Sequence, residues 1–425
     1  MSTPERARPT IDNEAGIPLH ARNASLADLA TMLKDQHTRK VDVVAPATTI
    51  RSRGALLVID GAEPIITDEG VTSSAGTYRP TAVADEGIAE KLRVPVGFLK
   101  RLRVERPDLY DANVNGLLHG RSKRRADGSV ETIAPADDRA FLVRAFRSDD
   151  GGVGVARAFL SDRYRIVDNL DVLTAALDGI RASGAEVEVT ACDLTDRRMY
   201  VKVAAPGIAA LAPSLLDGYR SPFGGQYVGR GWTPERVAEV SRREGQELDT
   251  PPVVFAGFVI SNSETGGGAF TITPRLTVKV CDNGLTITAD ALRNVHLGGK
   301  LDEGVVRWSD ETQQRNLDLV RSQATDAVRT FLDVDYLHSK VTAIEEQAAA
   351  PVNDAAKTVQ HVAKALRFGE DAATSILDHF IRGGQPTAGG VLQAVTSYAQ
   401  TLDDADSAAE VEGAALSALA LAARG

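Results

Sequence analysis

The sequence is poor in cysteine, with only Cys192 and Cys281 in 425 residues. So few thiols exclude a disulfide framework and suit a reducing compartment. No stretch approaches the roughly 18 consecutive apolar residues of a membrane-spanning helix, and no apolar signal core follows the N-terminal residues. We therefore expect a cytoplasmic protein that has no membrane partner.

Sequence motifs for several common chemistries are also absent. The phosphate-binding loop G-x-x-x-x-G-K-[ST] does not occur, because residues 298–301 have neither its spacing nor its hydroxyl. The patterns C-x-x-C, H-E-x-x-H and G-x-S-x-G do not occur either. ATP-driven strand exchange or unwinding is therefore not expected, and the sequence predicts no cofactor and no metal site.

The overall charge is −10, with a pI near 5.3. Such an acidic chain does not coat nucleic acid with its whole surface, but it can carry a local basic site. Residues 91–125 contain ten lysines and arginines against three acidic residues. Because cations neutralise phosphates and release counterions, this segment predicts a nucleic-acid contact. Its candidate residues are Lys100, Arg101, Arg121, Lys123, Arg124 and Arg125. In the alternative interpretation, residues 121–128 are only a solvated hairpin tip.

The clearest structural pattern lies between residues 253 and 296. Residues 253–260 are apolar on both parities, which is typical of a strand covered on both faces. A glycine-rich loop follows, and then residues 270–280 alternate as a strand with one buried face. Asn283-Gly284 predicts a two-residue hairpin turn that would place Val278 opposite Ala289. The other face would carry Arg275, Lys279, Cys281 and several threonines, and would meet water or a ligand.

The whole chain predicts an α+β fold with a central, largely antiparallel sheet. We divide it into a mobile arm at 1–24, a mixed region at 25–150, a β-rich core at 151–305 and a helical region at 306–425. Residues 206–250 interrupt the core with aromatics among arginines. This loop is either a clamp for single-stranded nucleic acid or a surface loop pinned by its aromatics.

The region 317–341 has apolar residues at alternating spacings of three and four, which predicts one helix with a heptad seam. The seam would pack on the helices that follow it or on a second subunit. A homo-oligomer formed through this helix is therefore one of our expectations.

Several of these segments resemble the family called domain of unknown function 932, which consists of phage- and plasmid-like proteins. The similarity lies in residues 158–169, in 261–266, in 280–285 and in 390–398, within a stretch that covers roughly residues 80 to 400. The motif residues are Asn262, Gly266, Arg275, Cys281, Asn283, Gly284 and His296. The resemblance implies a protein of a mobile genetic element and implies no particular chemistry.

Three hypotheses for the function remain. The first is a non-enzymatic nucleic-acid-binding protein, such as an ATP-independent single-strand DNA binder or annealer, which contacts DNA through the basic segment and through Arg275 and Lys279. The second is a metal- or cysteine-dependent nuclease or hydrolase centred on Cys281 and His296. The third is an assembly or host-interaction protein that uses the helical C-terminus. We favour the first hypothesis.

Overall fold

The computed structural model describes residues 16–60, 65–67, 70–72, 75–164, 167–224, 228, 251–268, 270–278, 284–294 and 310–424. The fold is α+β, as predicted, and its largest sheet is antiparallel. The described strands are β1 (Ala21–Ala24), β2 (Lys40–Pro46), β3 (Ile50–Arg53), β4 (Leu56–Ile59), β5 (Ile65–Thr67), β6 (Gly70–Thr72), β7 (Gly76–Pro80), β8 (Arg121–Arg124), β9 (Val130–Ala134), β10 (Ala140–Phe146), β11 (Gly154–Ser161), β12 (Glu188–Leu194), β13 (Met199–Leu211), β14 (Val253–Asn262), β15 (Phe270–Val278), β16 (Gly284–Thr286) and β17 (Leu292–Asn294). The described α-helices are α1 (Leu26–Arg39), α2 (Ala82–Leu92), α3 (Val96–Glu105), α4 (Pro107–His119), α5 (Asn169–Ser183), α6 (Pro213–Leu216), α7 (Asp310–Phe331), α8 (Val334–Ala348), α9 (Ala355–Leu366), α10 (Glu370–Gly383), α11 (Ala388–Gln400) and α12 (Ala405–Arg424).

The larger sheet has the strand order β1-β12-β13-β14-β15-β16, and β17 also pairs with β15. Along β13 to β15 the side chains alternate, so that Val201, Ile260 and Ile272 share one buried face. Helices α1, α5 and α7 contribute to the apolar core on that face. Tyr200 and Arg275 lie on the opposite face, which α12 covers.

The second sheet has the order β2-β10-β11-β7-β4-β3, in which only the β11–β7 pair is parallel. Its apolar face packs against α2, α3 and α4 through side chains such as Phe141, Val143 and Phe159. The remaining described strands form two hairpins, β5–β6 and β8–β9.

Local signals in the sequence account for several helix boundaries. The sequence predicts that Ser25 caps a helix ending near Lys34. Ser25 does begin α1 with a reciprocal capping box to Asp28, and the helix runs to Arg39, five residues further. The sequence also predicts two helices broken by Pro95, and Pro95 separates α2 from α3. Four further helices, predicted between Asp354 and Ala423, are confirmed as α9 to α12.

The prediction of a two-residue hairpin at Asn283-Gly284 is wrong. Leu276 pairs with Leu285 and Thr277 with Gly284, so the connection between β15 and β16 is longer than two residues. Gly284 is itself the first residue of β16. A short helical turn at Thr288–Asp290 then shifts the register before β17 pairs with the first half of β15. The split into an apolar and a polar face of β15 is nevertheless confirmed.

The prediction of one continuous helix at 317–341 is also wrong. The Asp333 carboxylate accepts a hydrogen bond from the Tyr336 N–H at 2.9 Å and begins α8 as a separate helix. This break resets the helical phase, so Val334 is 52% exposed although it belongs to the predicted seam. The first half of the seam packs against α5, where Gly179 allows α7 to approach closely at Ala324. The feature that suggested an oligomer is therefore partly covered within the chain.

Candidate nucleic-acid interface

Strands β8 and β9 form a hairpin that projects from the end of α4. Every residue from 121 to 136 is exposed to solvent, and the two strands pair only with each other among the described strands. We call residues 121–134 the basic arm. The hairpin that the alternative interpretation expects at 121–128 is present, and its strands extend to Ala134.

Ion pairing divides the cations predicted to bind nucleic acid into two groups. Lys100 and Arg101 lie outside the arm on α3, and they pair with Glu86 and Glu105, both at 2.8 Å. Arg125 pairs with Glu131 across the arm at 3.0 Å. The other three arm cations, Arg121, Lys123 and Arg124, make no ion pair within the described part of the chain. Among the members of the predicted set that the structure describes, these three are the exposed cations that no carboxylate holds.

Arg275 does not belong to this surface. Its side chain is buried on the covered face of the larger sheet, where it donates a hydrogen bond to the Thr277 hydroxyl at 2.9 Å. In the described structure this face does not meet water, because α12 lies over it. Lys279, Cys281, Asn283 and His296 lie outside the described residues.

Two of the four segments that resemble the family, residues 158–169 and 261–266, meet in the interior. The Asn262 side-chain amide donates to the Asn169 side-chain oxygen at 2.9 Å, and the Glu264 carboxylate accepts the Asn169 backbone N–H at 3.1 Å. Glu264 thus caps the start of α5, where the side chain of Asp168 makes no capping hydrogen bond. Gly266 follows with φ +90°, a conformation that favours glycine.

Arg144 holds this meeting point to the second sheet. Its side chain is fully buried and donates to both oxygens of Asp42, each at 2.9 Å, to Asp168 at 2.6 Å and to the Glu264 backbone carbonyl at 2.7 Å. Burial lowers the pKa of the Arg144 guanidinium, but the charges of the surrounding carboxylates outweigh it and raise this pKa. Burial raises the pKa of Asp168, whereas Arg144 and Lys40 together lower it well below its ordinary value.

We call this group of side chains the polar junction; it comprises Lys40, Asp42, Arg144, Arg157, Asp168, Asn169, Asn262 and Glu264. Within it, Arg157 pairs with Glu264 and stacks over the Phe146 ring at 4.0 Å. Two small clefts flank it. Both carboxylate oxygens of Glu264 and both of Asp168 already accept hydrogen bonds. The geometry therefore suits a structural tie between the two sheets better than a general base.

Sequence reasoning included Asp168, Asn169 and Glu264 only as parts of motifs, and it missed Arg144 and Arg157. A signal was present, because Arg144 and Arg157 are lone charges inside the apolar strands β10 and β11. A charged side chain in a buried strand needs hydrogen-bonding or oppositely charged partners. Its presence in an apolar strand therefore indicates a cluster of polar side chains around it.

Among the described residues, no group of three or more histidine, cysteine, aspartate or glutamate side chains is arranged to hold a metal ion. Across the same residues, the helices are too short or too polar to cross a membrane. Comparisons with protein-family models, with curated proteins and with solved structures find no match for this chain. The family resemblance therefore stays a prediction that rests on the motif residues.

Proposed function

We propose that this is a nucleic-acid-binding protein of a phage- or plasmid-like element, and that the basic arm is its contact with single-stranded DNA. The observation that carries the proposal is that Arg121, Lys123 and Arg124 are exposed and have no acidic partner within the described ranges of the chain. A cation without an acidic partner can bind a phosphate without breaking an ion pair of the protein. Lys100 and Arg101 must first break their ion pairs with carboxylates of the protein.

The apolar side chains of the arm support single strands as the ligand. Val130 is 66% exposed and Ile133 is 54% exposed, both on β9 beside the cations of β8. Single strands present unstacked bases, and apolar side chains next to cations can contact a base face and its phosphate together. A two-stranded ribbon also fits the major groove of a duplex, so duplex DNA is the comparison ligand.

The test is a titration of labelled single-stranded and duplex DNA at two salt concentrations. Replacing Arg121, Lys123 and Arg124 together by alanine removes three phosphate contacts, so the slope of log affinity against log salt falls by about 2 for single strands. The matched control replaces three exposed helical cations, Arg329, Lys357 and Lys364, by alanine.

The control variant loses the same formal charge as the arm variant, so it separates a local contact from the overall field of the protein. We expect the control to bind like the unmodified protein and the arm variant to bind weakly. Equal losses in the two variants, or no binding by the unmodified protein at low salt, would contradict the proposal. A clear preference for the duplex would reassign the ligand and keep the arm as the contact.

A further inference from the structure

The covered face of the larger sheet is unusually polar for a face that lies beneath a helix of its own chain. It carries Tyr200, Lys202, Arg275 and a row of hydroxyl side chains, which are Ser261, Thr271, Thr273, Thr277 and Thr286. Lys202 is only 9% exposed and Arg275 only 5%. The opposite face of the same strands is apolar and forms the core. An antiparallel sheet with one apolar and one polar face can leave the polar face in water, so the alternation of side chains does not explain why a helix covers this face.

The contacts between this face and α12 are acidic on the side of the helix. Asp406 accepts hydrogen bonds from the Tyr200 and Thr195 hydroxyls, both at 2.8 Å. Glu412 lies 3.8 Å from the Lys202 ammonium and 3.9 Å from the Arg275 guanidinium. Both carboxylates therefore place anionic oxygens against this face.

The ion pairs beneath the helix are incompletely satisfied. Both contacts of Glu412 are longer than a hydrogen bond, although its side chain is only 5% exposed. The Arg275 Nε atom is buried and has no hydrogen-bond partner among the residues that the structure describes. Because buried charges are costly unless hydrogen bonds satisfy them, the cations of this face would gain from a ligand with better-placed anionic oxygens.

Helix α12 has only a small apolar contact with the covered face, and its larger apolar contacts, through Val411 and Leu419, are with the main core and with helices α8, α9 and α11. Nine of its twenty residues are alanine, and five of its eight buried residues are alanine, so each buried side chain contributes little apolar area. Alanine also has the highest intrinsic helix propensity, which favours a helix that persists after release. The apolar contact with the covered face is small and consists of Ala405 and Ala409 against Tyr200 and Val259.

We propose that the covered face is a second nucleic-acid-binding surface. Helix α12 masks this face, and its acidic side chains compete with single-stranded DNA for the cations of the face. Displacement of the helix leaves Arg22, Lys202 and Arg275 on this face with Asp193, the sheet carboxylate that pairs with Arg22 and Lys202. The Tyr200 ring then becomes available for stacking on a base. This inference deepens the proposed function and rests on it for the class of ligand, but it does not use the basic arm.

The first experiment is therefore made in the arm variant, in which Arg121, Lys123 and Arg124 are alanine. There, Asp406→Lys with Glu412→Lys places cations against the basic face and repels the helix. The control is Asp403→Lys with Glu410→Lys, the same change of charge at exposed positions at the start of the helix. We expect the first pair to bind single-stranded DNA about tenfold more tightly than the control pair. Equal affinity of two folded proteins would overturn the inference.

A reversible lock gives a second readout if the lysine variant does not fold. A side chain at Gly413 would lie 3.4 Å from the Thr288 methyl group, so Gly413→Cys with Thr288→Cys can join α12 to the edge of the sheet. In an arm-deficient, Cys281→Ser background, the oxidised protein should bind DNA several-fold more weakly than the reduced protein. Identical binding by the two forms would overturn the inference.

The location of the surface is tested by Arg275→Gln in the background with the helix displaced. We expect this substitution to remove most of the gained affinity, and a full gain without Arg275 would contradict the assigned face. Failure of the arm proposal has a different signature. It appears as undiminished binding by the arm variant with α12 intact, whereas failure of the present inference appears as no gain when α12 is displaced.

Discussion

The basic arm and the polar junction contain similar side chains and differ in how those side chains are paired. On the arm, Arg124 is exposed and makes no ion pair in the described structure. At the junction, Arg144 is fully buried and donates to Asp42, Asp168 and Glu264. The difference shows that charge density along the sequence does not separate an exposed cation without an acidic partner from a buried structural one. The number of acceptors that each cation already holds does separate them.

The largest difference between the two regions is expected when one arginine in each is substituted. Arg144→Met leaves Asp42 and Asp168 without their main buried partner, so we expect a loss of about 3–5 kcal/mol in the free energy of unfolding. Arg124→Met removes no internal contact, and we expect a change within about 0.5 kcal/mol. Urea unfolding of both variants measures the difference. Similar values for the two would contradict the structural role of the junction.

The pH dependence of stability sharpens the comparison by isolating one carboxylate of the junction. The pKa of Asp168 is lowered in the folded protein, with burial opposing and Arg144 and Lys40 producing the shift. Its contribution is therefore fully present above the unfolded pKa of about 3.9 and is lost as the pH falls toward the folded pKa. We expect the penalty of Asp168→Asn to shrink by about 1 kcal/mol between pH 7 and pH 3.

This second measurement compares the unfolding free energies of the unmodified protein and of Asp168→Asn at each pH. Asp318→Asn, on the exposed side of α7, is the control for the general effect of acid. A penalty that stays constant or grows as the pH falls would contradict the lowered pKa of Asp168.

The sequence predicted those parts of the fold that depend on neighbouring residues. The alternation in β15, the cap at Ser25 and the break at Pro95 all act within a few positions. Two local signals failed because another interaction prevailed. Asn283-Gly284 did not set the register of β16, and the heptad spacing did not carry the helix past the cap at Asp333.

The polar junction could not be predicted from neighbouring residues, because the side chains that it brings together are distant in the chain. Glu264 caps a helix that begins 95 residues earlier, and Arg144 reaches the Glu264 carbonyl across 120 residues. Such contacts follow from the packing of two sheets, and no spacing rule encodes that packing. The basic arm could be predicted because its charges are close together and its structure is a local hairpin.

The smallest effect on stability is expected when most of the arm is removed. Replacing residues 123–131 by Asn-Gly joins Ser122 to Thr132, which already pair, through a two-residue turn. No deleted residue is buried, so the free energy of unfolding should change by less than about 0.5 kcal/mol. DNA affinity should fall as it does in the triple alanine variant. If unfolding became easier by as much as in Arg144→Met, the arm would have to pack against the protein, and its exposure would no longer support a role in binding.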